Sequence, residues 1–561
     1  MACLVCVFCV LAAIALPAQT FTTLASFPPS DIGPSGLVQG IDGNFYGTTT
    51  QGGNNSDSCG AVFKVTPGGT LTTLYSFCAQ TNGTDGQNPA AGVVLATNGN
   101  FYGTTENGGD STNCFGLGCG TVFEISAGGK LTVLHGFDGT DGTGPNGGLV
   151  QATSGNFYGT TYFAGAHDNC DEGHGCGTVF EITPAGKLTT LHNFDGPDGE
   201  NPGAALVQST NGNFYGTTGF GGTNNSSSCG GPGGRTGDGC GTVFEITPEG
   251  KLTVLHSFCA QTGCTDGATP LAGLVQGANG NFYGTTWAGG ANDVGTVFEI
   301  TAGGKLTTLY SFDGADGAGP YAGLVQATDG NFYGVTNGGG SSSECGGGCG
   351  TVFKITPSGT LTTLYSLSGK PPEGELPEAG LVQGTDGNFY GTTDVAVFSL
   401  SVGLGPFVET LPTFGKEGAT VIILGTDLTG ATEVRFNGTP AKFTVVSDTE
   451  MKTTVPAGAK TGTLEVTTPE GTLKSKLIFR VTPQITSFTP TSGTGGTEVT
   501  IIGTGLKQTT QVTFGGAKAT AFTVRSDTNV RATVPKGAET GKIEITTRGG
   551  SAYSLTSFTV K

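Results

Sequence analysis

Charge is scarce in this chain. Only 12% of its 561 residues are charged, and the 43 acidic ones outnumber the 24 basic ones for a formal net charge of −19. Polyanions are held by dense Lys/Arg patches that release counterions, and the chain has no basic cluster, which excludes nucleic acid as a partner. Tryptophan occurs once, methionine twice and histidine five times, so little material exists for a histidine-built centre. No Ser-His-Asp set, catalytic carboxylate pair or phosphate-binding loop is legible. Long apolar runs are missing as well, except at the start. The first eighteen residues, MACLVCVFCVLAAIALPA, read as a secretory signal cleaved after Ala18. That run lacks a basic flank, and an uncleaved anchor is the alternative. Nothing after it approaches a membrane span.

What the chain has in abundance is glycine, 103 residues of it. Together with 35% hydrophobic residues that return at regular intervals, this composition indicates an all-β repeat protein rather than disorder. A chain of this length exceeds a single core, so several domains are expected. The string NFYG recurs with its Phe at Phe45, Phe101, Phe157, Phe214, Phe282, Phe332 and Phe389. Each copy follows a short apolar run such as Leu149-Val150-Gln151 and precedes a VF segment such as Val179-Phe180-Glu181-Ile182, then a stretch like Leu188 to Phe194. Every unit therefore offers four β-type segments separated by turn residues. Asp42-Gly43, Asn98-Gly99, Asn211-Gly212, Asn279-Gly280, Asp329-Gly330 and Asp386-Gly387 suit two-residue hairpin turns.

The phase of the repeat identifies the architecture. After the leader, the chain begins with a lone fourth-type strand, Phe21 to Phe27, while the last unit stops after its third, Val397 to Leu400. Supplying the missing strand from the other end closes a ring and removes its edges. The expectation is a seven-bladed β-propeller over residues 19–402, with Leu-Val-Gln innermost and all long loops on one rim. From about residue 403 a period near 78 residues takes over, pairing Pro412 with Pro490, Gly425 with Gly503 and Phe436 with Phe514. Two β-sandwiches, 403–482 and 483–561, are expected there.

The motifs LVQGTDGNFYGTT, GTVFEIT and LTTLYSF resemble the GloVer tandem-repeat family of exported bacterial proteins with differing anchors. SFTPTSGTGGTEVTIIGTGL, VTFGG and VPKGAETGKIEITT resemble the IPT/TIG immunoglobulin-like family, the first copy departing at its opening strand. The first resemblance implies no catalytic residues. The second implies an extracellular interaction or spacer role.

Twelve cysteines follow the leader, an even number that beside an export signal indicates disulfides. Cys114/Cys119, Cys170/Cys176, Cys229/Cys240 and Cys345/Cys349 each fall within one loop, Cys59/Cys78 flank a hairpin, and Cys259/Cys264 are local, with Cys240/Cys259 an equivalent alternative. His135, His192 and His256 occupy the repeat position of Tyr75, Tyr310 and Tyr365, and read as blade-packing residues. His167 and His174, beside Asp168, Asp171 and Glu172, are a candidate metal site without an established ligand spacing. The blade connections place Asp138 and Asp141, Asp195 and Asp198, and Asp313 and Asp316 on the long-loop rim. Calcium is a candidate ion there, although two carboxylates per loop fall short of its usual ligand number and Asp-Gly turns need no metal. No other cofactor is expected. The Glu of VFEIT (Glu124, Glu181, Glu245, Glu299) alternates with Lys64 and Lys354, as solvated strand positions do. Tyr162, Phe163, Phe220 and Trp287 are candidate binding aromatics, against a reading in which they cap blade ends.

These features favour a secreted or cell-surface binding or adhesion protein, without catalysis, that contacts an extracellular polysaccharide or protein through the long-loop rim. A polysaccharide lyase or glycoside hydrolase is the alternative, which carboxylates converging on the channel mouth would favour. A structural surface-layer component is the third.

Overall fold

The computed structural model describes residues 19–28, 33–53, 59–111, 114, 116–167, 170, 173–226, 229 and 239–561. The apolar stretch 1–18, expected to be a secretory leader, lies outside them. The described residues form a seven-bladed propeller and two immunoglobulin-like sandwiches. Each blade is a four-stranded antiparallel sheet in simple order from inner to outer strand. Blade 1 comprises Val38–Gln39, Phe45–Thr49, Ala61–Val65 and Leu71–Ser76. Thr20–Ser26 pairs with Ala396–Ser401 as the outermost strand of blade 7, so the first strand shuts the ring.

The NFYG motif is explained by packing between blades. Side chains of a strand alternate faces, so the Phe and Tyr of one blade meet opposite neighbours. Each Tyr stacks on the Phe of the next blade, from Tyr46–Phe101 at 4.1 Å through Tyr215–Phe282 at 4.0 Å, and Tyr390–Phe45 at 3.9 Å completes the circle. The glycine that follows answers a different need. Gly47 pairs with Phe63 across the strands, and a Cβ there would lie 2.7 Å from the Phe63 ring; every blade repeats this arrangement.

Beneath each Tyr hydroxyl lies one carboxylate, drawn from either of two positions. In four blades the strand-three Glu accepts it, as in Tyr102 to Glu124 (2.9 Å) and Tyr215 to Glu245 (2.7 Å). In the other three, where Lys64, Lys354 or Ser399 replaces Glu, the hairpin aspartate accepts it: Asp42 from Tyr46 (2.8 Å), Asp329 from Tyr333 (3.0 Å) and Asp386 from Tyr390 (2.7 Å). The reading of this Glu as merely solvated is thereby corrected. Its exchange for Lys is compensated one hairpin away. Burial, then the carboxylate bond, pushes Tyr102, Tyr215 and Tyr283 up to about 12, and Tyr46, Tyr158, Tyr333 and Tyr390 rise for the same reasons.

Glutamines stitch the inner strands together. The amide oxygen of Gln151 accepts the Thr97 N–H of the preceding blade, Gln208 that of Thr153, Gln326 that of Ala278 and Gln383 that of Thr328. Gln39 does the same for Thr385 at 2.9 Å across the closure. Blade 2 has Leu95 at this position.

Each sandwich has its own apolar core, centred on Val421, Phe436, Val466 and Phe479 in the first and on Val499, Phe514, Ile543 and Phe558 in the second. The first sandwich rests on the tight-turn rim. Phe407 donates its N–H to the Thr385 carbonyl (2.9 Å), Thr426 and Thr385 hydroxyls bond at 2.9 Å, and Thr449 donates to the Ile41 carbonyl (3.1 Å). Between its edge and the inner strands of blades 5 and 6 lies a cleft of about 720 Å³ lined by Val275, Gln276, Gln326, Phe407 and Lys474.

Candidate aromatic and acidic mouth of the channel

The channel has two unlike mouths. One faces the first sandwich, whereas the other opens on the long-loop rim, where a single backbone bond repeats in every blade. The residue after FYGTT donates its N–H to the loop arriving at the next stretch of the ring: Thr50 to Gly33 (3.0 Å), Glu106 to Asn88 (3.0 Å), Tyr162 to Gly144 (2.9 Å), Gly219 to Asn201 (3.1 Å), Trp287 to Thr269 (2.9 Å), Asn337 to Gly319 (3.2 Å) and Asp394 to Glu375 (3.1 Å). The backbone is pinned identically, while the side chain differs in every blade.

A second variable position lies just after the proline that precedes each inner strand, and contributes Asn146, Tyr321 and Glu378. The two sets meet. Trp287 and Tyr321 pack edge to face with centroids 5.8 Å apart. The Tyr162 ring lies over Gly203, and the Trp287 ring over Gly319, so a side chain at either glycine would displace an aromatic. Tyr321 of blade 6 stays 38% exposed yet is crowded, and burial followed by the charges of Glu378 and Glu106 raises its pKa. Those two carboxylates belong to blades 7 and 2. Glu106 is half-buried and its pKa is raised by that burial. Glu378 is raised by crowding and then by the Asp394 charge, against a hydrogen bond from Asn337. The Asn146 Oδ1 atom is buried without a hydrogen-bond partner.

Of the aromatics singled out in the sequence, Tyr162 and Trp287 belong to this mouth, and Phe163 adjoins Tyr162 with centroids 4.7 Å apart. Phe220 does not belong with them. It is only 5% exposed, held by paired backbone bonds to Glu200, so it is a core residue. Glu106, Asn146, Tyr321, Asn337, Glu378 and Asp394 escaped the sequence reading. For Glu106, Asn337 and Asp394 the signal was available: seven nearly identical FYGTT strings are followed by seven different residues.

The rim aspartates have other occupations. Asp141 accepts from the Asp138 N–H (3.0 Å) and faces His135 Nε2 at 2.7 Å; Asp198 treats Asp195 and His192 in the same way, at 2.9 and 2.7 Å. Asp316 takes the Asp313 N–H (3.0 Å) and the Tyr310 hydroxyl. Asp138 and Asp313 in turn accept the amides of Thr140 and Ala315, both at 2.9 Å. These carboxylates therefore brace the turns between blades. His135, His192 and His256 also pack edge-on against Phe137, Phe194 and Phe258 at 5.2, 5.1 and 5.1 Å. His167 and His174 are exposed, and their companions Asp168, Asp171 and Glu172 lie outside the described residues.

Six disulfides join Cys59–Cys78, Cys114–Cys119, Cys170–Cys176, Cys229–Cys240, Cys259–Cys264 and Cys345–Cys349, so Cys240 pairs with Cys229 rather than Cys259. Among the described residues, the clusters close enough to hold a metal are Cys229/Cys240/Cys259 and Cys345/Cys349/Glu375. Their cysteines are bonded to sulfur and offer no thiolate. No helix of the described residues is long and apolar enough to cross a membrane.

Comparison with known proteins places the chain. No curated protein sequence matches it. Among solved structures, SGBP-B from a xyloglucan utilization locus in Bacteroides uniformis is 22% identical over 27% of this chain and 48% of its own, with a TM-score of 0.14. The chain thus spans about half the length of that protein. A fungal alcohol oxidase of the AA5 family, solved with copper, is 13% identical over 82% of this chain and 98% of its own (TM-score 0.46). The extracellular domain of a putative hybrid two-component system from B. thetaiotaomicron is 9% identical over 94% and 57% (TM-score 0.44). The IPT/TIG domain profile matches residues 408–477 and 483–560. The Gloeobacter/Verrucomicrobia repeat profile matches residues 10–229 and 231–422, most of the chain, and the protein belongs to that repeat family.

Proposed function

We propose that this is an exported surface or extracellular binding protein that takes its ligand at the long-loop mouth of the propeller. Residues 1–18 serve as its leader, 19–402 as the binding unit, and the sandwiches 403–482 and 483–561 as spacer or docking modules. The observation that carries this reading is the inequality of the two mouths. The first sandwich stands over the tight-turn mouth, and the other presents Tyr162, Trp287 and Tyr321 beside hydrogen-bonding Asn and carboxylate groups. Aromatic faces stack on the apolar faces of sugar rings, and polar neighbours bond the hydroxyls. Six disulfides fit an oxidising compartment.

The test is a glycan and protein array screen of the mature chain, repeated with Trp287→Ala and Tyr321→Ala. Binding that falls at least tenfold in both variants is expected. Retention of every array hit by both variants would sink the mouth as the binding site.

A second reading rests on Glu106 and Glu378. Two carboxyl groups held above their ordinary range on the long-loop rim suit general acid chemistry on a polysaccharide. New reducing or unsaturated ends released by the native chain, and lost in Glu106→Gln and Glu378→Gln, would establish catalysis in place of simple binding.

A further inference from the structure

Blade 4 shares the backbone frame of blade 1 but carries two more cysteines. Cys78-Ala79-Gln80-Thr81 recurs as Cys259-Ala260-Gln261-Thr262, and Cys240 precedes Cys259 by the same 19 positions that separate Cys59 from Cys78. The backbone bonds around the two pairs agree. Phe77 donates its N–H to Gly60 and Phe258 to Gly241, each at 3.0 Å, while Asn88 donates to the Cys59 carbonyl and Thr269 to that of Cys240, each at 2.8 Å. Cys78 and Cys259 share a left-handed backbone, with φ of 59° and 61°. In blade 1 this frame holds the Cys59–Cys78 bond across a Cα separation of 6.0 Å, inside the range disulfides use. Blade 4 instead diverts Cys240 to Cys229, and Cys259 to Cys264, which stands where blade 1 has Gly83.

The diverted sulfurs remain neighbours. Those of Cys229, Cys240 and Cys259 all lie within 4.8 Å of one another. Cys259 is half-buried, whereas Cys229, Cys240 and Cys264 are buried, so Cys259 is the member an outside thiol reaches first. We infer that blade 4 holds a thiol-driven disulfide switch in which Cys240 exchanges Cys229 for Cys259, untying a rim loop while the blade stays stapled. A dithiol's thiolate attacks Cys259 Sγ and releases Cys264. Its second thiol then displaces Cys259, and the dithiol departs as a cyclic disulfide, having given two electrons. The Cys259 thiolate attacks Cys240 Sγ, and the bond to Cys229 breaks as the new one forms. Cys229 and Cys264 leave as thiolates that take protons from water, so one bond is reduced and one changes partner. The loop that is untied borders the mouth: the Thr269 hydroxyl donates to the Cys229 carbonyl (3.4 Å), and the Thr269 carbonyl accepts the Trp287 N–H (2.9 Å).

The exchange is independent of what the propeller binds. Its test is titration of the mature chain with dithiothreitol at mildly alkaline pH, quenched with N-ethylmaleimide and followed by non-reducing tryptic peptide mapping. Cleavage at Lys251 separates Cys240 from Cys259, so a bond between them appears as a linked pair of peptides. As Cys264 becomes alkylated, most of Cys240 should move into that linked pair, with Cys229 alkylated to the same extent. Alkylation of Cys259 and Cys264 with Cys240 still bonded to Cys229 would overturn the switch. Loss of the Cys229–Cys240 bond without the new link, or resistance of all four sulfurs to the dithiol, would do the same. A variant gives a second reading without any reductant. Cys264→Gly restores the residue of blade 1 at a left-handed position, with φ of 50°, and leaves Cys259 without its partner. It should carry the Cys240–Cys259 bond and a single free thiol at Cys229. A variant that keeps Cys229–Cys240 and leaves its free thiol at Cys259 would overturn the exchange.

Discussion

Position 61 shows how much a single repeat residue carries. In blades 2 to 6 two buried threonine hydroxyls meet across the second and third strands, for example Thr105 with Thr121 at 2.8 Å and Thr218 with Thr242 at 2.9 Å. Blade 1 has Ala61 opposite Thr49, and the Thr49 hydroxyl is left buried without a partner. Ala61→Thr should restore the pair and stabilise the propeller by roughly 1 kcal/mol, read as a shift in urea midpoint at unchanged slope. The alternating carboxylate offers a sharper test. Asp42→Ala should cost about 1 to 2 kcal/mol by stranding the Tyr46 hydroxyl, and adding Lys64→Glu should recover most of it, because Glu then stands where Glu124 serves Tyr102. At the mouth the balance runs the other way. The raised pKa of Glu106 means that the folded state disfavours its ionised form, so its contribution to stability is present below the unfolded pKa near 4 and is lost as pH rises through the folded value. Glu106→Gln should therefore raise Tm at neutral pH, with the gain fading near pH 4.

At the scale of elements, the blades were the most legible part of the chain. Strand order, hairpin turns and the closing strand all follow from Phe and Tyr spacing and from Asp-Gly and Asn-Gly joints, since both signals are local. The buried tyrosines give the blades a chemical signature. Each phenol faces a carboxylate and is raised above its ordinary value near 10, so stability is intact below that pH and is lost as the solution becomes more alkaline. Cooperative unfolding that steepens above about pH 10 is expected, followed by circular dichroism, and Tyr102→Phe should make it shallower. The Cys59–Cys78 bond closes the outer hairpin of blade 1 over a separation of 19 residues. The double change to serine should lower stability by about 2 to 3 kcal/mol in thermal or denaturant unfolding. What remained hidden in the sequence were pairings between unlike positions. Lys64 reads as a solvated substitution until Asp42 is seen to replace the missing Glu, and Phe220 reads as a surface aromatic until its bonds to Glu200 bury it.

For the molecule as a whole, the ring explains why the candidate site was only half legible. Tyr162 and Trp287 announce themselves by residue type, whereas Glu106, Tyr321 and Glu378 come from three blades and two repeat positions that only closure brings together. Deleting Thr20–Ser26 should leave blade 7 with an open edge and turn a monodisperse protein into one that associates or aggregates, as light scattering would report. The path by which the sandwiches join the ring has a mechanical consequence. They continue directly from Ala396–Ser401, which is hydrogen-bonded to Phe389–Thr392 on one side and to Thr20–Ser26 on the other. A pull transmitted through the sandwiches enters the propeller along the axis of a strand clamped on both flanks. It must slide two ladders at once instead of peeling one open, so the join resists traction along the strand better than a singly paired edge strand would.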